Sequence, residues 1–325
     1  MNKVGIIAVG EYLPKKVLTN ADLEKMVDTS DEWITTRTGI KERRIAQSNE
    51  PTSQMAIKAA KKALKNARLK PENLDLIIVA TITPDMQLPS TACVVQEGLK
   101  AFNAVCFDVS AACAGFVYAI VIGEQFIKSG VFKNALVIGA EKLSSVTDWT
   151  DRNTCILFGD GAGACVLGKV KRGGILSHHL ATDGRLVDLL LIPAGGSKFP
   201  ATAKTIKNRL HFVKMRGNEL FKFAVKFMAD ATNKALKKSG LTCSDVTYII
   251  PHQANIRILL SVAKRLGLPK EKIFLNIHKY GNMSSASTAV ALSEAVRKNK
   301  VKKGDIIVLS SFGAGLAWGA CVIEW

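Results

Sequence analysis

VCFDVSAACAG, residues 105–115, runs from a short apolar stretch straight into a cluster of small residues. The first five residues suit a buried strand, since the run is too short for a helix and rich in β-formers. Ala111, Ala112, Ala114 and Gly115 then open an apolar segment of about four helical turns that ends near Gly130. A strand feeding directly into a helix is the start of an α/β unit. The same passage recurs downstream. Residues 246–250 read as a strand, PHQ follows, and 255–266 read as a helix closed by Gly267.

The pattern spreads outward in both directions. Residues 4–9 and 76–80 read as strands, as do 135–139 and the end of FGDGAGACVLG (158–168). Residues 52–67 place Met55, Ala56, Ala59, Ala60, Ala63 and Leu64 on one helical face. A second series then begins: strand 174–180, amphipathic helix 218–238 before Gly240, helix 287–298, and strands 306–310 and 317–323. Between them, Pro193, Gly195, Gly196 and Pro200 mark residues 184–209 as an irregular excursion. The alternation predicts mainly parallel sheet covered on its faces. The repeated rhythm predicts two halves, 1–171 and 172–325, derived from one duplicated unit.

Composition narrows the class. The 325 residues exceed one ordinary core and suit two packed units. With 48% hydrophobic and 22% charged residues, the chain is globular rather than disordered. The formal net charge of +18 fits a solvated lysine-rich surface, a nucleic-acid ligand, or a small acidic or phosphorylated partner. The basic residues are scattered, with no basic tail and no interleaved aromatics, which argues against nucleic acid. Seven cysteines without a CxxC pair predict no metal site and no disulfide framework, hence a reducing, cytoplasmic setting. The amino-terminal apolar run is too short for a signal peptide, and no run approaches ~18 residues, so no membrane span is expected.

In sheets of this kind, functional groups gather where strands end and helices begin. Three such junctions carry reactive side chains: Cys113, His252 in YIIPHQANIR and Asn282 in HKYGNMSSAS. At a helix amino terminus, unpaired N–H groups favour an anion, so the position predicts a lowered thiol pKa for Cys113. Read alone, Cys113 could equally be a small core residue, the role expected of Cys93, Cys106, Cys155 and Cys165. His252 could be a satisfied structural imidazole, and Asn282 could occupy a left-handed turn. Together they describe a nucleophile with an imidazole and an amide. Papain-like hydrolases also use a Cys-His-Asn set, but with a different pattern around the Cys.

Five stretches, DTSDEWITTRTGIKERR (28–44), DVSAACAGF (108–116), DRNTCILFGDGAGA (151–164), PHQAN (251–255) and YGNMSSAS (280–287), closely resemble the β-ketoacyl-acyl-carrier-protein synthase III family. They occur in the family's order and spacing along the whole chain. The resemblance implies an α/β, thiolase-like fold with duplicated mixed/parallel sheets in αβαβα layers, and a homodimer. It implies an acyltransferase that condenses an acyl-coenzyme A primer, acetyl above all, with malonyl-acyl-carrier protein to start fatty-acid synthesis. A related type III-like enzyme with a branched, medium-chain or secondary-metabolite primer is the alternative. No cofactor is implied, because coenzyme A enters as part of a substrate.

Site residues follow from the same resemblance. Cys113, His252 and Asn282 are implied as catalytic, with the N–H groups of Cys113 and Ala314 as the oxyanion hole. Trp33 and Arg152 would sandwich adenine, Arg37 would meet phosphate, and Asn218, Phe221 and Asn255 would line a pantetheine tunnel. Lys222, Arg257, Lys264 and Arg265 match a basic patch for the acidic carrier protein, with a solvated helix face as the plain alternative. Leu88, in QLPSTA, stands where the family closes the partner subunit's acyl pocket. That position is often aromatic or small, so Leu88 leaves primer size open, while Met283 replaces a residue that is often Thr and is expected to change packing rather than chemistry.

Overall fold

The structure is a computed structural model that describes residues 3–325. Five strands form the first sheet: β1 (Val4–Tyr12), β2 (Leu76–Ala80), β3 (Val105–Val109), β4 (Ala135–Lys142) and β5 (Asp160–Lys169). Their order is β1-β5-β4-β2-β3. β2 runs parallel to β3 and β4, while β5 runs antiparallel to β1 and β4. The second sheet holds β6 (Gly174–Thr182), β7 (Tyr248–Pro251), β8 (Ile306–Gly313) and β9 (Ala317–Glu324), in the order β7-β8-β9-β6. β7 and β8 are parallel, and β9 is antiparallel to both β8 and β6.

The second sheet repeats the order and directions of four of the first sheet's five strands. Its missing outer member shrinks to one parallel bridge between Ile249 and Ile273. Both sheets are mixed, not mainly parallel as the alternation suggests. The reason is clearest at β8 and β9, which are joined by three residues; a parallel pair needs a crossover of a dozen or more.

Seven helices matter for the site: α1 (Asp31–Thr38), α2 (Thr52–Ala67), α3 (Thr91–Leu99), α4 (Gly115–Lys128), α5 (Gly217–Lys238), α6 (Ile256–Arg265) and α7 (Ser285–Arg297). α4 and α7 lie between the two sheets, and every residue of α7 from Ser285 to Ala295 is buried. Their apolar side chains join the inner faces of both sheets in one core, which includes Ile78, Phe116, Ile120, Leu292, Ile307 and Leu309. α2 and α3 cover the outer face of the first sheet, with Met55, Ala59 and Ala63 inward as the periodicity predicts. α5 and α6 cover the outer face of the second. The result is five layers, αβαβα.

Close contact between α7 and the first sheet depends on missing side chains. A Cβ at Gly139 would lie 2.5 Å from the Ser285 carbonyl oxygen, and one at Gly163 would lie 2.5 Å from the Ala289 Cβ. The helix therefore rests directly on sheet backbone.

The excursion after β6 is better ordered than its prolines and glycines suggest. Leu190–Leu191 pairs with Lys214–Met215, and Ala203–Lys207 forms a short helix. Arg209 fastens it to the first half through Asp148, with Nε 2.8 Å from the carboxylate. That guanidinium holds the Asp148 carboxyl well below the usual carboxylate range. Before α2, a hairpin of Lys16–Thr19 and Glu42–Ile45 brings α1 over the mouth of the site.

Candidate active site

Cys113 sits in a tight 3-10 turn, Ala112–Ala114, that leads into α4. Ala112 takes φ +46°, a left-handed kink between strand and helix. This kink turns Cys113 toward the end of β8. A Cβ at Gly313 would lie 2.6 Å from the Cys113 nitrogen and 3.1 Å from its Cβ, so only glycine fits there. Cys113 itself is buried. Burial pushes its thiol up to about 12, opposed by Ser284 and reinforced by the Glu141 carboxylate. Burial and the Glu141 carboxylate thus oppose the lowering expected of a helix amino terminus.

His252 follows the last residue of β7, and its N–H donates to the Ser310 carbonyl at 2.8 Å. It is 2% exposed, and burial pushes its imidazole down to about 3. The ring is therefore neutral at physiological pH and keeps one N–H to donate.

Asn282 is held from three sides. Its N–H donates to Leu157 O at 2.8 Å, and its carbonyl accepts from Gly159 N–H at 3.0 Å. Its side-chain Oδ1 accepts from Ser284 N–H at 2.8 Å. With Oδ1 engaged, the Nδ2 amide is left as the donor for a ligand. The wall behind Asn282 is braced by Arg43, a fully buried guanidinium that donates to Ile156 O at 2.7 Å and Asn20 Oδ1 at 2.8 Å. Burial lowers its pKa to about 10, so it remains charged.

Cys113, His252 and Asn282 all line one cavity of about 690 Å³. Its remaining lining includes Trp33, Arg37, Asn218, Phe221 and Asn255, with Lys222 and Arg257 exposed at the mouth. Asn255 also serves the fold: its Oδ1 caps α6 by accepting from Arg257 N–H, and its Nδ2 donates to Arg37 O. Such a cavity offers a thiol facing two uncharged donors, reached through a channel with a basic rim.

Arg152, Ala314, Lys264, Arg265 and Leu88 lie apart from the lining. Arg152 stacks on Trp33, its guanidinium carbon 4.6 Å from the indole centroid, and donates to Asp28 O at 2.9 Å. Arg37 lies 4.8 Å from the same ring. A gap of 4.6 Å is one stacking distance, so an adenine between Trp33 and Arg152 requires Arg152 to leave Asp28. Ala314 is half-buried, one residue beyond Gly313. Lys264 and Arg265 are exposed farther along α6, and Arg265 pairs with Asp230 at 3.6 Å. Leu88 is 86% exposed on the surface of this chain. Cys93 is exposed and Cys106 half-buried, whereas Cys155 and Cys165 are core residues.

Several contributors to the site carry little signal in the sequence. Ile156, Leu157, Leu190 and Met215 form apolar wall. Glu141, fully buried behind Cys113, accepts hydrogen bonds from Thr81, Thr83 and Ser285 hydroxyls and from Ile82 N–H. Its one legible signal was a lone carboxylate closing the apolar run ALVIGAE. Among the described residues, no cluster of His, Cys, Asp or Glu is placed to hold a metal, and no helix is long and apolar enough to cross a membrane.

Comparison with known proteins agrees with this geometry. The family model for 3-oxoacyl-[acyl-carrier-protein] synthase III matches residues 107–184, and the model for that synthase's C-terminal region matches 236–325. The β-ketoacyl-[acyl-carrier-protein] synthase III of Caldanaerobacter subterraneus is 57% identical over 322 residues, spanning 99% of this chain and 97% of that one. The corresponding protein of Clostridioides difficile is 55% identical, spanning 99% and 98%. The crystal structure of 3-oxoacyl-[acyl-carrier-protein] synthase III from Aquifex aeolicus matches with a TM-score of 0.92 at 52% identity, covering 99% of this chain and 100% of that one. This chain, thiolase-like in fold, belongs to the β-ketoacyl-[acyl-carrier-protein] synthase III family.

Proposed function

We propose that this protein joins an acyl primer carried on coenzyme A to malonyl-acyl-carrier protein, releasing carbon dioxide and coenzyme A and starting fatty-acid chains. The single observation that carries the reading is one cavity holding a buried thiol opposite two uncharged donors, His252 and Asn282.

The sulfur of Cys113 attacks the acyl thioester carbonyl, and the N–H groups of Cys113 and Ala314 receive the oxyanion. Collapse breaks the bond to coenzyme A, whose sulfur takes the proton given up by Cys113. Malonyl thioester then enters. The His252 N–H and the Asn282 amide donate to its carbonyl oxygen. As the bond to the carboxylate breaks, carbon dioxide leaves and the electron pair becomes an enolate held by those donors. The enolate carbon attacks the Cys113 thioester, and the sulfur departs. A neutral imidazole suits this step: it stabilises the enolate oxygen without first protonating a carboxylate. No general base is needed, so an amide can stand beside the imidazole.

Trp33, Arg37, Arg152, Asn218, Phe221 and Asn255 are assigned to coenzyme A, supported by their arrangement around the outer channel. The exposed cations Lys222, Arg257, Lys264 and Arg265 are assigned to the acidic carrier protein, where such charges mainly raise association rate. The exposure of Leu88, Phe102 and Val105, with β3 as the outer strand of its sheet, supports a homodimer in which Leu88 reaches the partner's acyl pocket. The repeated strand order supports duplicated halves, 1–171 and 172–325. Seven free cysteines support a reducing, cytoplasmic setting.

Initial rates with malonyl-acyl-carrier protein, across straight, branched and medium-chain acyl-coenzyme A primers, test the reading. Acetyl-coenzyme A should give 3-oxobutyryl-carrier protein. Absence of carbon–carbon bond formation with every primer would overturn it.

A further inference from the structure

Glu141 is a carboxyl that the mechanism above does not use. It lies near the end of β4, fully buried, and among the described residues it makes no ion pair. Lys142, the next residue, turns away and donates to Gln47 O at 2.7 Å. A buried carboxylate without a cation is costly, and such a group takes up a proton unless hydrogen bonds hold its charge.

Counting protons around the carboxyl decides its state. Oε2 accepts from the Thr83 hydroxyl at 2.7 Å, Ile82 N–H at 3.1 Å and the Thr81 hydroxyl at 3.2 Å. Oε1 lies 2.8 Å from the Ser285 hydroxyl oxygen, and that oxygen also lies 2.7 Å from Ala80 O. Both are full-strength lengths for an O–H···O bond. A serine hydroxyl has one proton to give, and a backbone carbonyl has none. With Glu141 ionised, one of the two contacts would set bare oxygen against bare oxygen. A proton on Oε1 removes the conflict: Glu141 donates to Ser285, the reverse of what a carboxylate would do, and Ser285 donates to Ala80 O. This chain of bonds ends beneath the nucleophile. A Cβ on Gly115 would lie 3.0 Å from the Ala80 Cβ and 3.6 Å from the Ser285 Cβ, so these two residues form the floor of the Cys113 turn. Ser285 also follows Ser284, whose N–H fixes Asn282 Oδ1. The titratable group that faces the carboxyl is Cys113, whose thiol a carboxylate there pushes further up.

We infer that Glu141 is a positioning residue that carries a proton at neutral pH, tying β4 to the floor beneath Cys113 without setting a negative charge against its thiolate. The positioning role rests on Cys113 being the nucleophile; the proton does not. Burial, which raises the pKa of this carboxyl, acts in the same direction.

Infrared difference spectra of the full protein, wild type minus Glu141→Gln, read the proton directly. At neutral pH the wild type should contribute a carboxylic-acid C=O band that the variant lacks. A carboxylate band in its place would overturn the inference. Iodoacetamide alkylation of Cys113 should keep its pH profile in Glu141→Gln, because no charge is removed. Alkylation about tenfold faster at neutral pH, with the profile moved toward acid, would reveal a charged wild-type carboxylate and would also overturn it. Glu141→Leu, which strands Thr81, Thr83 and Ser285, should slow acyl transfer from acetyl-coenzyme A about tenfold or more at little-changed KM. Glu141→Gln keeps both an acceptor and a donor, and should recover most of that loss; failure to recover it, or to fold, would count against the role. A Glu141→Leu protein too unstable to assay leaves the two Glu141→Gln measurements to decide. Failure of wild-type Cys113 to take up acetyl would refute the nucleophile assignment, while the infrared band still reports on Glu141.

Discussion

Gly313→Ala isolates the contact between β8 and the nucleophile. The added methyl would lie 2.6 Å from the Cys113 nitrogen, 3.1 Å from its Cβ and 3.2 Å from the Ala112 Cβ. Non-bonded contacts relax near ~3.5 Å, so the two segments must part by roughly 0.5–1 Å. The Cys113 side has little room to yield. A Cβ on Gly115, two residues on, would already lie 3.0 Å from the Ala80 Cβ. Overpacking of this kind costs about 1–3 kcal/mol. The catalytic cost is larger, because the shift moves both the sulfur and the N–H assigned to the oxyanion. Displacing a reacting group by ~1 Å costs on the order of 10²-fold, and losing an oxyanion donor costs ~10²–10³. Rapid-quench measurement of acyl transfer from acetyl-coenzyme A, paired with thermal unfolding, separates the two effects. Acylation should fall about a hundredfold or more while the variant remains folded. Wild-type acylation in a folded Gly313→Ala protein would refute the packing argument.

Other perturbations divide the reaction into its parts. His252→Ala and Asn282→Ala should each leave acylation of Cys113 near wild type and cut malonyl decarboxylation by ~10²–10³, read as carbon dioxide release from pre-acylated enzyme. Burial lowers the His252 pKa to about 3 from 6.5, so between those values the unfolded chain binds a proton that the folded chain refuses. Stability contributed by the neutral ring is present above pH 6.5 and lost as pH falls toward 3, at up to ~1.4 kcal/mol per unit. Thermal unfolding of His252→Gln should show a shallower acid slope. Arg257→Glu should raise KM for malonyl-acyl-carrier protein several-fold, an effect that fades at high salt, while malonyl-coenzyme A turnover changes less.

What the sequence made legible was local. Residues 105–115 and 248–257 announce strand, turn and helix within a dozen residues each, and the structure follows them within one or two positions. The apolar faces of residues 52–67 and 218–238 mark two outer helices, whereas the five layers come only with the family resemblance of the five quoted stretches. What escaped was set by distant packing. The antiparallel β5 and β9 depend on which edges meet, which periodicity does not encode. The raised Cys113 thiol reflects burial among elements some 30 to 200 residues away in sequence. Glu141 and Ser285 bear on the site only because β4 and α7 converge there. Arg152 sits on Trp33 because Asp28 holds it there, a contact between segments 124 residues apart.

The central claim is that Cys113 carries the acyl primer. Peptide-resolved mass spectrometry of the full protein after mixing with acetyl-coenzyme A tests it most directly. A single acetyl group should appear on the peptide containing Cys113, vanish on addition of malonyl-acyl-carrier protein, and be absent from Cys113→Ala. An acetyl group on another cysteine, or none on Cys113 with any short acyl-coenzyme A, would contradict the account.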